Sequence, residues 1–150
     1  MYELLLYLHI MSAVTWVGGA LTMQVLAVRV GGSDDPAELP RFTRSVEFVG
    51  SRVFVPAAIL LLTSGAAMTV QAWSFGQPWI AVSVALWVLS AAAGAVYLAP
   101  RAARVGRLLD EEGPGSVAAR DLMSRIFLVS RLELAAFAIV VALMVFKPGS

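Results

Sequence analysis

A single histidine, His9, lies in a long apolar stretch near the start of the chain, and its neighbours suit a ligand-binding residue. At about 100° per residue in a helix, Ala13, Trp16, Ala20 and Met23 stack with His9. Small residues between bulky ones leave a concave strip. A neutral imidazole is a common donor to haem iron or copper, with methionine as a softer second ligand. The spacing therefore predicts a cofactor groove formed by His9, Trp16 and Met23, with His9 as the metal ligand.

The same pattern has a second interpretation. In it, His9 hydrogen-bonds to the backbone or to a hydroxyl group of a neighbouring helix, and the small residues only let helices approach closely. In either case we expect a neutral imidazole, because hydrocarbon disfavours its charged form. The spacing alone leaves both interpretations open.

Four ionisable residues also lie in or beside apolar stretches: Glu47, Arg52, Arg131 and Glu133. Each needs a partner or a role, because a charge in hydrocarbon costs about 3 kcal/mol or more. Arg52 and Glu133 are expected at similar depth, and we predict an ion pair between them, since an arginine fork donates bidentately to a carboxylate. Arg131 lies about 200° around the helix from Glu133, so it should face Glu47 or extend to lipid phosphates. We expect these charges to set helix register and depth; the alternatives are proton transfer, substrate binding or the seating of porphyrin propionates.

Four apolar stretches are long enough to position these residues in a membrane. Of the 150 residues, 59% are hydrophobic and 14% are charged, with a mean hydropathy of +0.82, whereas soluble domains are about half apolar and about a quarter charged. Roughly 20 residues cross roughly 30 Å of hydrocarbon. The stretches run over about residues 4–28, 49–73, 79–98 and 126–146. We predict an all-α integral membrane protein, an antiparallel four-helix bundle in one transmembrane domain of residues 1–150.

The links between these stretches predict the orientation. Residues 29–44 and 101–125 carry several arginines, whereas the link from Trp73 to Trp79 carries no charge. Because arginine-bearing loops stay in the cytoplasm, we expect a multi-pass protein of the bacterial cytoplasmic (inner) membrane with both termini on the outer side. Aromatic residues are predicted to form the two interfacial belts, with Tyr2, Tyr7, Trp73 and Trp79 outside and Tyr97 inside.

Proline, arginine and small residues predict how the helices continue and cross. Pro56 has no amide hydrogen to offer the carbonyl of Arg52, so a kink is expected near residues 54–55. The spacing of three arginines predicts that the third helix continues past the membrane surface and contacts anionic lipids; they are Arg101, Arg104 and Arg107. Small-residue runs predict close helix crossings at Gly18–Ala20, Ser64–Ala67 and Ala91–Gly94.

The composition excludes several classes of function. A net charge of +1 gives no support for nucleic-acid binding. The absence of cysteine excludes thiolate metal sites and iron–sulfur clusters. The chain also has no zinc-protease helix motif, no phosphate-binding loop and no dinucleotide fingerprint. A hydrolase or a nucleotide-driven pump is therefore not expected, and whether the protein is an enzyme stays open.

Two stretches resemble known membrane families. The run Leu8-His9-Ile10 followed by Trp16-Val17-Gly18-Gly19 resembles the first helix of HemJ-type protoporphyrinogen oxidases and of CopD-type copper-resistance membrane proteins. The ending Lys147-Pro148 is similar to the HemJ-type terminus. Across nearly its whole length, the chain resembles uncharacterised small predicted integral membrane proteins of bacteria. The HemJ resemblance implies that His9 ligates haem b, and the CopD resemblance implies copper passage.

These observations lead to three functional hypotheses. The first is a haem- or porphyrin-associated membrane protein of the HemJ-like group, with His9 as an axial ligand and a homodimer to supply a second imidazole. The second is a non-enzymatic accessory or structural subunit that binds other membrane proteins through its small-residue faces. The third is transport of copper or another small solute.

Overall fold

The computed structural model describes residues 1–149, and within them every regular element is helical. The elements are six α-helices and two π-helical turns, and each α-helix is numbered in chain order. They are α1 (Tyr2–Gly31), α2 (Glu38–Val49), a π turn (Gly50–Phe54), α3 (Val55–Ala72), α4 (Pro78–Ala92), a π turn (Ala93–Leu98), α5 (Ala99–Glu112) and α6 (Val117–Phe146).

These elements join into four spans that are long and apolar enough to cross a membrane. The spans are Tyr2–Gly31, Glu38–Ala72, Pro78–Glu112 and Val117–Phe146. The predicted all-α class with four membrane helices is therefore confirmed. The second and fourth spans begin earlier than their apolar stretches, because amphipathic turns precede the hydrophobic part. The third continues through α5, as the arginine spacing predicts.

Both π-helical turns lie just before a proline. Pro56 and Pro100 have no amide hydrogen for the carbonyl one turn earlier, and a π turn rearranges the backbone hydrogen bonds around that gap. The distortion expected at Pro56 takes the form of the Gly50–Phe54 turn. The sequence interpretation did not anticipate the matching turn at Ala93–Leu98, for which Pro100 is the signal.

The first span lies between the second and the fourth. Helix α1 packs against both α3 and α6, and α6 packs against α4 and α5. The second and third spans, although consecutive, meet mainly at their ends. At one end α2 packs against α5, and at the other the rings of Trp73 and Trp79 meet edge to face with centroids 5.4 Å apart.

In the membrane-spanning part, small and polar side chains face inward. Large apolar residues such as Val14, Ile59, Val88 and Ile139 are exposed. Hydrocarbon is as apolar as leucine, so no hydrophobic force draws large side chains inward, and close backbone approach drives packing instead. The buried polar residues of the spans are His9, Ser12, Gln24, Thr43, Ser64, Thr69, Ser83 and Ser90.

An apolar core holds the spans together at one end, which we call the arginine end because α2, α5 and the start of α6 carry most of the arginines. At its centre Val105 is 0% exposed. Ser116 caps the start of helix α6, and its hydroxyl accepts a hydrogen bond from the Ala119 amide at 3.1 Å and donates one to the Glu112 carboxylate at 2.6 Å. The core residues are Leu39, Val105, Leu109, Ala119, Met123 and Ile126.

Candidate functional site

His9 lies buried against α3, with 8% of its surface exposed. Its Nδ1 atom is 3.0 Å from the carbonyl oxygen of Leu61 and 3.2 Å from the hydroxyl oxygen of Ser64. Because a carbonyl oxygen can only accept a hydrogen bond, Nδ1 carries the hydrogen atom and donates a hydrogen bond to the Leu61 carbonyl. The lone pair of the neutral ring is therefore on Nε2.

A glycine makes room for this contact. A Cβ atom at Gly65 would lie 3.0 Å from Cε1 and 3.3 Å from Nδ1 of His9. The small-residue run at Ser64–Ala67 is thus a close crossing of α1 and α3, as predicted. His9 on α1 forms hydrogen bonds to a backbone carbonyl and a hydroxyl group of α3. These are the bonds expected in the second interpretation of the sequence, in which the imidazole joins two helices.

The second ring nitrogen of His9 has a different environment. Within residues 1–149, Nε2 makes no hydrogen bond. Nε2 is also not completely enclosed by protein atoms. Among the described residues, the completely enclosed ring nitrogens that lack a hydrogen-bond partner are those of Trp79 and Trp87. A histidine whose Nδ1–H is held by a backbone carbonyl has its ring oriented and its Nε2 lone pair available, which is how metal-binding histidines are commonly positioned.

The predicted groove of His9, Trp16 and Met23 is not one open site. The Trp16 ring packs against Phe137 of α6, with centroids 4.8 Å apart, whereas His9 faces α3. Met23 is only half-buried. The cavity beside Trp16 has a volume of 30 Å³, about the share of one water molecule in the liquid. At His9 and Trp16, α1 is therefore packed against neighbouring helices, and the space beside these side chains is not an open groove.

The predicted ion pair between Arg52 and Glu133 is not formed. Within residues 1–149, the ion pair present joins Arg41 to Asp35 at 3.9 Å, at an exposed position. The physical reason is the helix order, because the first span separates the second from the fourth. Arg52 and Glu47 are exposed, and Glu133 is half-buried.

Arg131 has a different partner from those expected. Its Nε donates to the side-chain oxygen of Gln24 on α1 at 3.3 Å. The Gln24 amide nitrogen in turn donates to the carbonyl oxygen of Phe127 at 3.4 Å. The sequence interpretation missed Gln24, although a buried amide in an apolar span is itself a signal of an interhelical hydrogen bond.

The described residues offer few ligands for a bare metal ion. Residues 1–149 hold no group of three or more His, Cys, Asp or Glu side chains that could bind one. A metal at His9 would therefore need most of its ligands from a macrocycle or from another chain.

At the opposite end, which we call the tryptophan end, the last helix is attached to the link between α3 and α4. The Lys147 ammonium lies 4.5 Å from the centroid of the Trp73 ring and 6.0 Å from that of Trp79. A cation over an aromatic face is attracted by the ring quadrupole. The lysine of the Lys-Pro ending therefore contacts two aromatic rings at the ends of the neighbouring spans.

Four apolar spans with a small, polar interior define the class of this chain: it is a multi-pass integral membrane protein. Over residues 3–148 it matches the family described as "Predicted integral membrane protein (DUF2269)". The chain belongs to that family. No curated protein and no solved structure matches it. The resemblance to HemJ-type and CopD-type proteins stays a prediction.

Proposed function

We propose that this chain is a haem b-associated protein of the bacterial cytoplasmic membrane, with His9 Nε2 as an axial ligand. The observation that carries the proposal is the hydrogen bond of 3.0 Å between His9 Nδ1 and the Leu61 carbonyl. It sets the tautomer that presents a lone pair at Nε2, and it raises the basicity of the ring as a ligand.

The packing around His9 limits where a porphyrin fits. The 30 Å³ cavity beside Trp16 is far too small for a macrocycle, so His9 would have to hold a porphyrin outside that cavity. Iron bound there would supply redox chemistry. The sequence has one histidine, so a second imidazole would come from a second copy of the chain, in a symmetric dimer.

Absorption spectroscopy of the detergent-purified protein tests this proposal. After expression with abundant haem, we expect a Soret band in the native protein and its loss in His9→Ala. Gln24→Leu is the matched control, because Gln24 is also a buried polar residue of α1 but contacts α6. A native protein without a Soret band contradicts the proposal, and so does a His9→Ala variant that is folded and retains the band.

A non-enzymatic accessory subunit is the second candidate. The favouring observation is that the hydroxyl groups of the spans mostly donate to carbonyls of their own helix instead of converging on one point. Thr69 donates to Gly65 at 2.9 Å, and Ser83 donates to Trp79 at 2.7 Å. A native protein without bound haem and without copper in metal analysis supports this candidate, whereas stoichiometric copper supports the transport hypothesis.

The orientation is part of the same proposal. Of the 11 lysine and arginine residues, only Lys147 lies at the tryptophan end. Because positively charged segments stay on the cytoplasmic side, we infer that the arginine end faces the cytoplasm and that both termini face outward.

A further inference from the structure

A lateral groove runs between α1 and α6 on the half of the bundle nearer the arginine end. Its volume is 520 Å³. Two alanines of α6 make the groove concave, and its polar groups are confined to one glutamine and one arginine. The lining residues are Gln24, Val25, Val28, Arg131, Leu134, Ala135 and Ala138.

The arginine in this groove is held in place without a counter-charge. Gln24 accepts from Arg131 Nε at 3.3 Å, and Gln24 is itself anchored to the Phe127 carbonyl. Within residues 1–149 Arg131 forms no ion pair. The two terminal amino groups of its guanidinium are therefore left to bind a ligand. A cation in a membrane span needs an anion, and a guanidinium matches a phosphate bidentately.

The rest of the groove matches a hydrocarbon chain. Val25, Val28 and Leu134 give an apolar wall, and Ala135 and Ala138 leave the depth that a chain needs. The groove is open along its side. Helix α6 runs away from the arginine end, so Leu134, Ala135 and Ala138 lie deeper in the membrane than Arg131, whereas Val25 and Val28 of the antiparallel α1 lie on the arginine-end side of Gln24. Because arginine side chains extend toward the membrane surface, the charged group reaches the headgroup level and the α6 part of the groove is left for the acyl chain.

We propose that this groove binds one anionic glycerophospholipid, with its phosphate on Arg131 and one acyl chain along the α6 part of the groove. An anionic headgroup is favoured over a zwitterionic one because no carboxylate lines the groove to hold an ammonium group. The arrangement is independent of any ligand at His9, which faces α3 instead.

Native mass spectrometry of the detergent-solubilised protein tests the proposal. Palmitoyl-oleoyl phosphatidylglycerol and palmitoyl-oleoyl phosphatidylcholine are titrated separately. We expect a saturable 1:1 adduct with phosphatidylglycerol, and its affinity should fall at least about tenfold in Arg131→Gln, since a charged hydrogen bond is lost. Arg52→Gln is the matched control, because Arg52 is an exposed span arginine outside the groove, and its affinity should stay unchanged.

A second variant tests the apolar part. Ala138→Phe fills the groove without changing charge and should also weaken the phosphatidylglycerol adduct, while circular dichroism and the elution volume report that each variant is folded. Equal loss in Arg131→Gln and Arg52→Gln would mean diffuse charge attraction and would overturn the proposal. Equal binding of both lipids, or an unchanged adduct in Ala138→Phe, would overturn it as well.

Discussion

The ring of Phe54 lies so close over Gly19 that a Cβ atom at position 19 would be 2.6 Å from Phe54 Cε1. Phe54 ends the π-helical turn that precedes Pro56. A proline in the second span thus shapes the segment whose aromatic ring packs against a glycine of the first. Gly19 belongs to the run Gly18–Ala20, which the sequence predicts as a close helix crossing, and the Phe54 contact is such a crossing.

We expect Gly19→Ala to lower the free energy of unfolding by about 1–3 kcal/mol, because the added methyl group forces the Phe54 ring to move. Unfolding by SDS in mixed micelles, followed by circular dichroism, measures the change. Adding Phe54→Leu should recover part of the loss, since the shorter side chain leaves room for the methyl group.

Gly18→Ala is the control for this prediction. A Cβ atom at position 18 meets nothing within 4 Å, and alanine has the higher helix propensity. We expect unchanged or slightly greater stability. If Gly18→Ala and Gly19→Ala behave alike, the close contact with Phe54 is not present in the folded protein.

Gln24 and Arg131 should be energetically coupled. In a double-mutant cycle with Gln24→Leu and Arg131→Gln, we expect a coupling energy of about 1 kcal/mol, because each substitution removes the same interhelical hydrogen bond. Arg52→Gln and Glu133→Gln should instead be additive within about 0.5 kcal/mol. Coupling of the second pair without coupling of the first would favour the sequence-based ion pair over the observed contact.

Lys147 should stabilise the tryptophan end. Replacement with methionine keeps most of the length of the side chain and removes its charge, so the unfolding free energy should fall by about 0.5–1 kcal/mol. Lys147→Arg should retain most of this stability. In a Trp73→Leu background the effect of Lys147→Met should shrink, and an undiminished effect would assign the stabilisation to another contact of Lys147.

The orientation can be measured with single cysteines, because the native chain has none. In intact spheroplasts, a membrane-impermeant maleimide should label Gln77→Cys, whereas Ser33→Cys should react only after lysis. Each position lies in a link between spans, at opposite ends of the bundle. Labelling of both variants from one side would contradict the arrangement of the spans, and the reverse pattern would invert the orientation.

Some features of the site follow from the sequence and others do not. A histidine among small residues already predicted either a ligand or an interhelical hydrogen bond, and the run at Ser64–Ala67 already predicted a close crossing. No local pattern could predict that His9 bonds to the helix at this crossing, because its partner at Leu61 is a backbone carbonyl, a group that every residue has. The sequence does not predict the pair of Gln24 and Arg131, because the expected partner of an arginine in a span is an opposite charge rather than an amide.

The sequence by itself determined that this protein resides in a lipid bilayer, how many spans it has and which segments connect them. Those properties add up residue by residue along the chain, since each side chain has its own free energy of transfer into hydrocarbon. The tertiary structure alone decided the neighbours: the first span between the second and fourth, His9 on Leu61, Phe54 over Gly19 and Arg131 on Gln24. Which helices meet depends on how well whole surfaces fit together, and that fit is a joint property of residues far apart in the chain.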